Sequence, residues 1–144
     1  MIKKVSLIIF AITLLVVFYG CSSSSDGNGD DNGGDTVIQN PSFANNIQTI
    51  FTSSCALSNC HNGASAQAGL VLDQGQAYAN LVNVVSTSEP NTTRVLPSDA
   101  DNSYLVIKLE GRQNVGARMP LTGSITSTQL QNIKNWINNG APDN

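Results

Sequence analysis

The chain's only histidine, His61, directly follows the second of two cysteines in the segment Cys55-Ala56-Leu57-Ser58-Asn59-Cys60-His61. This C-x-x-x-x-C-H motif holds the groups that covalent haem attachment requires. Two thiols reach the two vinyl groups on one porphyrin edge, and an imidazole on the adjoining residue reaches the iron. Because the ordinary spacing has two residues between the cysteines, the four residues here must bulge out as a small loop. Cys55, Cys60 and His61 are therefore candidates for holding one covalent haem c.

Two other interpretations of this motif stay open. A disulfide between Cys55 and Cys60 is natural in an oxidising compartment, but it gives His61 no role. A zinc site would have two cysteines and one histidine, whereas a structural zinc site needs four ligands. The remaining cysteine, Cys21, lies at the end of an N-terminal apolar stretch, so we do not count it as a fourth ligand.

Met119 is the only methionine besides Met1, and it lies in a loop between Gly116 and Pro120. A thioether is a soft ligand that raises the potential of a haem iron, and such a loop can hold it rigidly. Met119 is therefore the candidate for the sixth position of the iron, with a gap-filling core methionine as the alternative. Arg118 could pair with a haem propionate, or it is an ordinary exposed arginine.

Residues 1–21 have the features of a bacterial lipoprotein signal. Lys3 and Lys4 precede an apolar run at 5–19, which is short for a bilayer-spanning helix because such a helix needs about 20 residues. Gly20 then precedes Cys21, which we expect to carry a lipid that anchors the mature chain to a membrane. The alternative is an uncleaved N-terminal anchor, which would place the chain on the same membrane.

Residues 22–35, SSSSDGNGDDNGGD, contain no apolar side chain and are expected to form a disordered tether. Residues 36–144 are then the folded domain. Without Lys3 and Lys4, five basic residues remain against ten acidic ones. A surface this acidic repels phosphate backbones, so nucleic acid is excluded as a partner.

Four helical segments alternate with loops rich in Gly, Pro, Asn and Ser, and strand-like runs are too short to build a sheet. Their expected limits are Ser42 to Cys55, Gln74 to Val82, Asp99–Asn102 to Gly111, and Thr126 or Ser127 to Gly140. Capping preferences set most of these limits. The expected fold class is all-α, with a core so small that it needs a staple or a bound group.

Short phrases along the domain carry a resemblance to a known family. They are Ile50-Phe51 before the cysteine motif, Ala68-Gly69-Leu70, Ser103-Tyr104-Leu105, Arg118-Met119-Pro120, and Ile133-Lys134-Asn135-Trp136-Ile137 with Gly140-Ala141. With the C-x-x-x-x-C-H motif, they resemble the small planctomycete-type domains of the monohaem class I cytochrome c family over residues 43–141. The four-residue spacer departs from the family's usual motif.

The resemblance implies a small cytochrome c-like helical domain with long loops around one haem. It implies thioether attachment at Cys55 and Cys60, with His61 as the proximal and Met119 as the distal ligand of the iron. We therefore expect an electron carrier rather than an enzyme, in the cell envelope of a Gram-negative bacterium, lipid-anchored through Cys21 on a periplasmic or cell-surface face. Its redox partner protein is not identified by the sequence.

Two other functions stay open for the same scaffold. One is a haem-free structural or binding module that holds a Cys55–Cys60 disulfide. The other is a haem sensor or catalytic domain in which Met119 leaves the iron open to ligands.

Overall fold

A computed structural model describes residues 36–144, and the predicted signal segment with Cys21 and the predicted tether 22–35 lie outside the described residues. Within 36–144 the regular structure is helical and contains no strand, only isolated β-bridges that join Val82 to Val95 and Val85 to Thr93. The predicted all-α class is therefore confirmed. None of the helices in this part of the chain has the length and apolar character needed to cross a membrane.

The helices are short and follow the order expected from the sequence. They are a π-helical turn at Phe43–Ile47 that continues into α1 at Gln48–Ser54, a 3-10 turn at Gln67–Gly69, α2 at Ala77–Leu81, α3 at Tyr104–Glu110 and α4 at Ser127–Asn138.

Local capping interactions fix several helix ends where the sequence predicts them. The Ser42 hydroxyl accepts a hydrogen bond from the Asn45 amide at the start of the first helix. Thr126 and Gln129 form a capping box at the start of α4, which satisfies two backbone donors reciprocally. Gly111 ends α3 with a φ of 79°, a left-handed conformation that glycine adopts without a steric penalty.

Two helices begin later than predicted, and in each case a turn occupies the first residues. Gly75 has a φ of 80°, so residues 73–76 form a turn and α2 begins only at Ala77. The Asp99 side chain accepts the Asn102 amide at 3.2 Å, and α3 begins after this turn. Asp99 thus stabilises the turn before α3 instead of capping the helix itself.

An aromatic cluster joins the first helix to the last. The ring of Phe43 lies 5.1 Å from that of Trp136 and 5.3 Å from that of Tyr78, measured between centroids. Trp136 is fully buried, and its indole nitrogen donates to the Pro142 carbonyl. Edge and tilted ring contacts of this kind stabilise a small core, so α4 and the first helix form one packed unit.

Three asparagines form what we call the asparagine ladder: Asn132 and Asn135 on α4, and Asn139 at its C-cap. The Ile38 amide donates to the Asn132 side chain at 2.8 Å, and the Asn135 side chain donates to the Ile38 carbonyl at 2.7 Å. The Asn139 side chain donates to the Gln39 carbonyl at 2.8 Å. The ladder holds residues 36–40 along α4.

Candidate cofactor site

The four residues between the cysteines fold back as a small exposed loop. The His61 amide donates to the Cys55 carbonyl at 3.1 Å, and the Cys60 amide donates to the Leu57 carbonyl at 3.0 Å. Asn59 completes the turn with a φ of 64°, a left-handed conformation that asparagine tolerates better than most residues. The long spacer is thereby accommodated as a turn at the edge of the site, where Asn59 lines one of the cavities described below, while a backbone hydrogen bond joins Cys55 and His61.

Both cysteines are free thiols and half-buried. Burial, with a smaller contribution from neighbouring Cys60, raises the pKa of Cys55 to about 11. Loss of hydration disfavours the charged thiolate, so Cys55 carries its proton at neutral pH.

His61 is oriented by the backbone of the segment that follows it. Its Nδ1 lies 3.3 Å from the Leu70 carbonyl oxygen. Burial is the largest cause that lowers the pKa of the imidazole, and the positive charges of Arg94 and Lys108 lower it further, while backbone hydrogen bonds with Leu70 and Gln67 act in the opposite direction. The ring is therefore neutral at pH 7. When Nδ1–H donates to Leu70, the lone pair of Nε2 is available to a metal.

Met119 is half-buried at the end of a loop that returns to α3. Its amide donates to the Lys108 carbonyl at 3.0 Å. The preceding residue, Arg118, donates through Nε to the Leu109 carbonyl at 2.8 Å. Arg118 is not among the residues that line the cavities described next, so the structure gives no support to its suggested contact with a propionate.

Two cavities, of about 110 and 190 Å³, lie side by side at these residues. Cys55, His61 and Met119 line both of them, and Cys60 lines the larger. Their walls are mostly apolar. The four candidate residues, from two segments far apart in sequence, thus lie around one continuous apolar region.

A buried arginine that sequence reasoning missed lies in the wall of the smaller cavity. Arg94 is 7% exposed. Its guanidinium donates to the carbonyls of Asn80 at 2.9 Å, Ala68 at 3.1 Å and Gly69 at 3.3 Å. No carboxylate in residues 36–144 forms an ion pair with it, and the cavity lining contains no acidic residue. Arg94 is thus a buried cation without a counter-ion from the described chain.

Tyr104 lines the same cavity, and its buried hydroxyl lies beside the Glu89 carboxylate. Burial raises the pKa of Tyr104, and Glu89, both as a negative charge and as an acceptor for the hydroxyl, adds to this effect. Tyr104 therefore has a carboxylate of the described chain as its neighbour, whereas Arg94 has none.

Over the described part of the chain, no three His, Cys, Asp or Glu side chains converge closely enough to hold a metal ion. The sulfur and imidazole donors are instead distributed around the two cavities. Comparison with protein-family models, curated proteins and solved structures finds no match for this chain. The chemistry of the cavity lining is therefore the guide to function.

Proposed function

We propose that this protein is a membrane-tethered cytochrome c-like electron carrier that holds one covalent haem c. The observation that carries the proposal is the meeting of Cys55, Cys60, His61 and Met119 around adjoining apolar cavities. These four residues provide two thiols, an imidazole and a thioether, which are the attachment and axial groups that a c-type haem uses.

Arg94 in the wall of the smaller cavity also fits this cofactor. A buried charge is costly unless it is paired, and Arg94 forms no ion pair with an acidic residue of the described chain. A haem propionate is a carboxylate that would provide this partner, and Arg94 takes this role in place of Arg118.

The protein's own residues have distinct tasks in this proposal. Cys55 and Cys60 hold the cofactor, and Leu70 orients the His61 ring so that Nε2 can coordinate. Bound haem supplies one-electron exchange at its iron. If His61 and Met119 both held the iron, no site on it would be left for a substrate, which favours electron transfer over catalysis.

The anchoring part of the proposal rests on the sequence of the N-terminal segment. A lipid on Cys21 and the polar tether 22–35 would hold the domain at a membrane of the cell envelope, where it would exchange electrons with a redox partner protein. Labelling with a radioactive fatty acid, followed by comparison with Cys21→Ala, tests this. Equal labelling of both proteins would contradict lipidation at Cys21.

The haem assignment is tested by expressing the full chain in a host that has a haem-attachment system. We expect a covalent c-type signature in the pyridine haemochrome spectrum and an intact mass increased by one haem. Cys60→Ser should leave at most a single thioether bond, and His61→Ala should lose the stable low-spin spectrum. Ser58→Ala, an exposed spacer residue, is the matched control and should load normally.

The same experiment distinguishes the alternatives. A colourless chain with Cys55 and Cys60 joined in a disulfide would refute the proposal and favour the haem-free module. A coloured protein whose reduced form binds carbon monoxide rapidly would favour the sensor or catalytic domain, because Met119 would then not occupy the iron.

A further inference from the structure

Lys108 contacts the segment that leads to Met119 from two directions. We define residues 112–119 as the Met119 loop. The Lys108 ammonium donates to the carbonyls of Val115 and Ala117, and the Lys108 carbonyl accepts the Met119 amide at 3.0 Å. One residue of α3 therefore binds the loop at three points, the last of them at Met119 itself.

The first residues of the loop have other anchors, because Arg112 donates to the Asp101 carbonyl and Asn114 donates to Glu89. The turn at 115–117 has one other anchor among the described residues, a bond from the Gln113 side chain to the Gly116 carbonyl. Most of its side chains are exposed, and its outer turn is formed by Gly116 with a φ of 72°. A Cβ at this position would lie 3.4 Å from the Lys108 ammonium nitrogen, so the ammonium packs closely under the turn. Arg118 adds one bond to the end of α3. Removal of the ammonium would leave the turn at 115–117 without its charged donor.

Lys108 also faces the cofactor site. Its side chain lines the smaller cavity together with Met119, and its ammonium lies 6.0 Å from the centroid of the Tyr104 ring. A methionine side chain has three rotatable bonds, so the backbone that carries it determines which region its sulfur can reach. Hydrogen bonds from a charged donor are roughly twice as strong as neutral ones. The ammonium is thus suited to fix this backbone.

We propose that Lys108 is the positioning residue of the distal ligand. Its ammonium fixes the turn of the Met119 loop, and its carbonyl fixes the Met119 amide, so that the thioether is held at the cavity. This inference rests on the proposed function, in which Met119 binds the haem iron.

The test compares Lys108→Leu with Lys134→Leu in the haem-loaded full chain. Lys134 is a matched control because its ammonium pairs with Asp101 and Glu110. In the described part of the chain it forms no hydrogen bond with the Met119 loop. Two properties are measured: hydrogen exchange of the Met119 amide, and the absorption band that arises from charge transfer between methionine sulfur and ferric iron. The first readout reports on the loop and the second on ligation.

We expect Lys108→Leu to speed exchange of the Met119 amide by about tenfold, since loss of charged hydrogen bonds shifts the local opening equilibrium by that order. The charge-transfer band should weaken in parallel. Lys134→Leu should change neither property, and Lys108→Arg, which keeps a cationic donor, should restore part of both. If Lys108→Leu does not fold, Lys108→Gln gives the same comparison with a polar but uncharged side chain.

The outcomes separate this inference from the proposed function. If the wild type shows the band and neither Lys108→Leu nor Lys108→Gln changes amide exchange or band intensity, the positioning role of Lys108 is overturned while ligation by Met119 stands. If the loaded wild type lacks the band, ligation by Met119 is overturned and the inference falls with it.

Discussion

Replacing the buried guanidinium of Arg94 tests whether its missing counter-ion comes from a cofactor. Arg94→Leu removes the charge and three hydrogen bonds to backbone carbonyls. The decisive comparison is between the haem-loaded chain and the haem-free chain expressed without the attachment system. Arg112→Leu is the control, because Arg112 is exposed and pairs with Glu110 at the surface.

The change in the free energy of unfolding caused by Arg94→Leu is expected to differ between the haem-free and the haem-loaded chain. In the haem-free chain, each lost hydrogen bond from the charged guanidinium costs about 1.5–3 kcal/mol, but removal of an unpaired buried charge relieves several kcal/mol of desolvation. Because the two effects oppose each other, we expect a net change of about 1 kcal/mol or less. In the loaded chain, the substitution breaks a buried ion pair with a propionate, which costs about 3–5 kcal/mol. The difference between the forms is therefore about 2–4 kcal/mol.

Urea unfolding followed by circular dichroism measures these free energies. The free energy of unfolding falls by about 2 kcal/mol per molar urea. Arg94→Leu should therefore lower the urea midpoint by roughly 1–2 M more in the haem-loaded chain than in the haem-free chain. Arg112→Leu should lower stability by less than about 1 kcal/mol in both forms. If Arg94→Leu costs the same with and without haem, no anionic group of the cofactor lies at Arg94 and this part of the reasoning is wrong.

Three further predictions concern other parts of the domain. Met119→His should lower the reduction potential markedly, and a redox titration that shows no shift would mean that Met119 is not a ligand. Thr126→Ala should lower the free energy of unfolding by about 1 kcal/mol because it removes the capping box of α4, whereas Thr128→Ala should have little effect. In the haem-free chain, alkylation of Cys55 should rise steeply only as the pH approaches 11, because burial raises its pKa to about that value; peptide mapping that shows saturating labelling at pH 8 would contradict this.

The features predicted best from the sequence are those encoded by neighbouring residues. Ser42, Thr126 and Gly111 define helix ends through interactions within three or four positions, so their roles follow from capping rules alone. The later starts of α2 and α3 were missed because Gly75 and Asp99 each stabilise a turn that competes with the helix locally. Propensity alone does not decide between a turn and the first turn of a helix.

The candidate site likewise contains residues that the local sequence identifies and residues that only the tertiary fold reveals. The cysteine motif identified Cys55, Cys60 and His61 through their spacing, and the flanking residues identified Met119. Arg94 could not be found in this way, because its burial depends on carbonyls at residues 68, 69 and 80 that only the tertiary fold brings together. Residues 86–93, which precede Arg94, are polar apart from Pro90, so the local sequence contains no signal that distinguishes a buried arginine from an exposed one.

The asparagine ladder has a mechanical consequence for any chain attached upstream of Thr36. That chain leaves the domain beside α4, which contributes no residue to the lining of either cavity. Tension applied there is carried first by side-chain amides and then by a helix whose Trp136 is seated in the aromatic cluster. A load at the upstream end is thus shared with α4 before it reaches the first helix, which leads to Cys55.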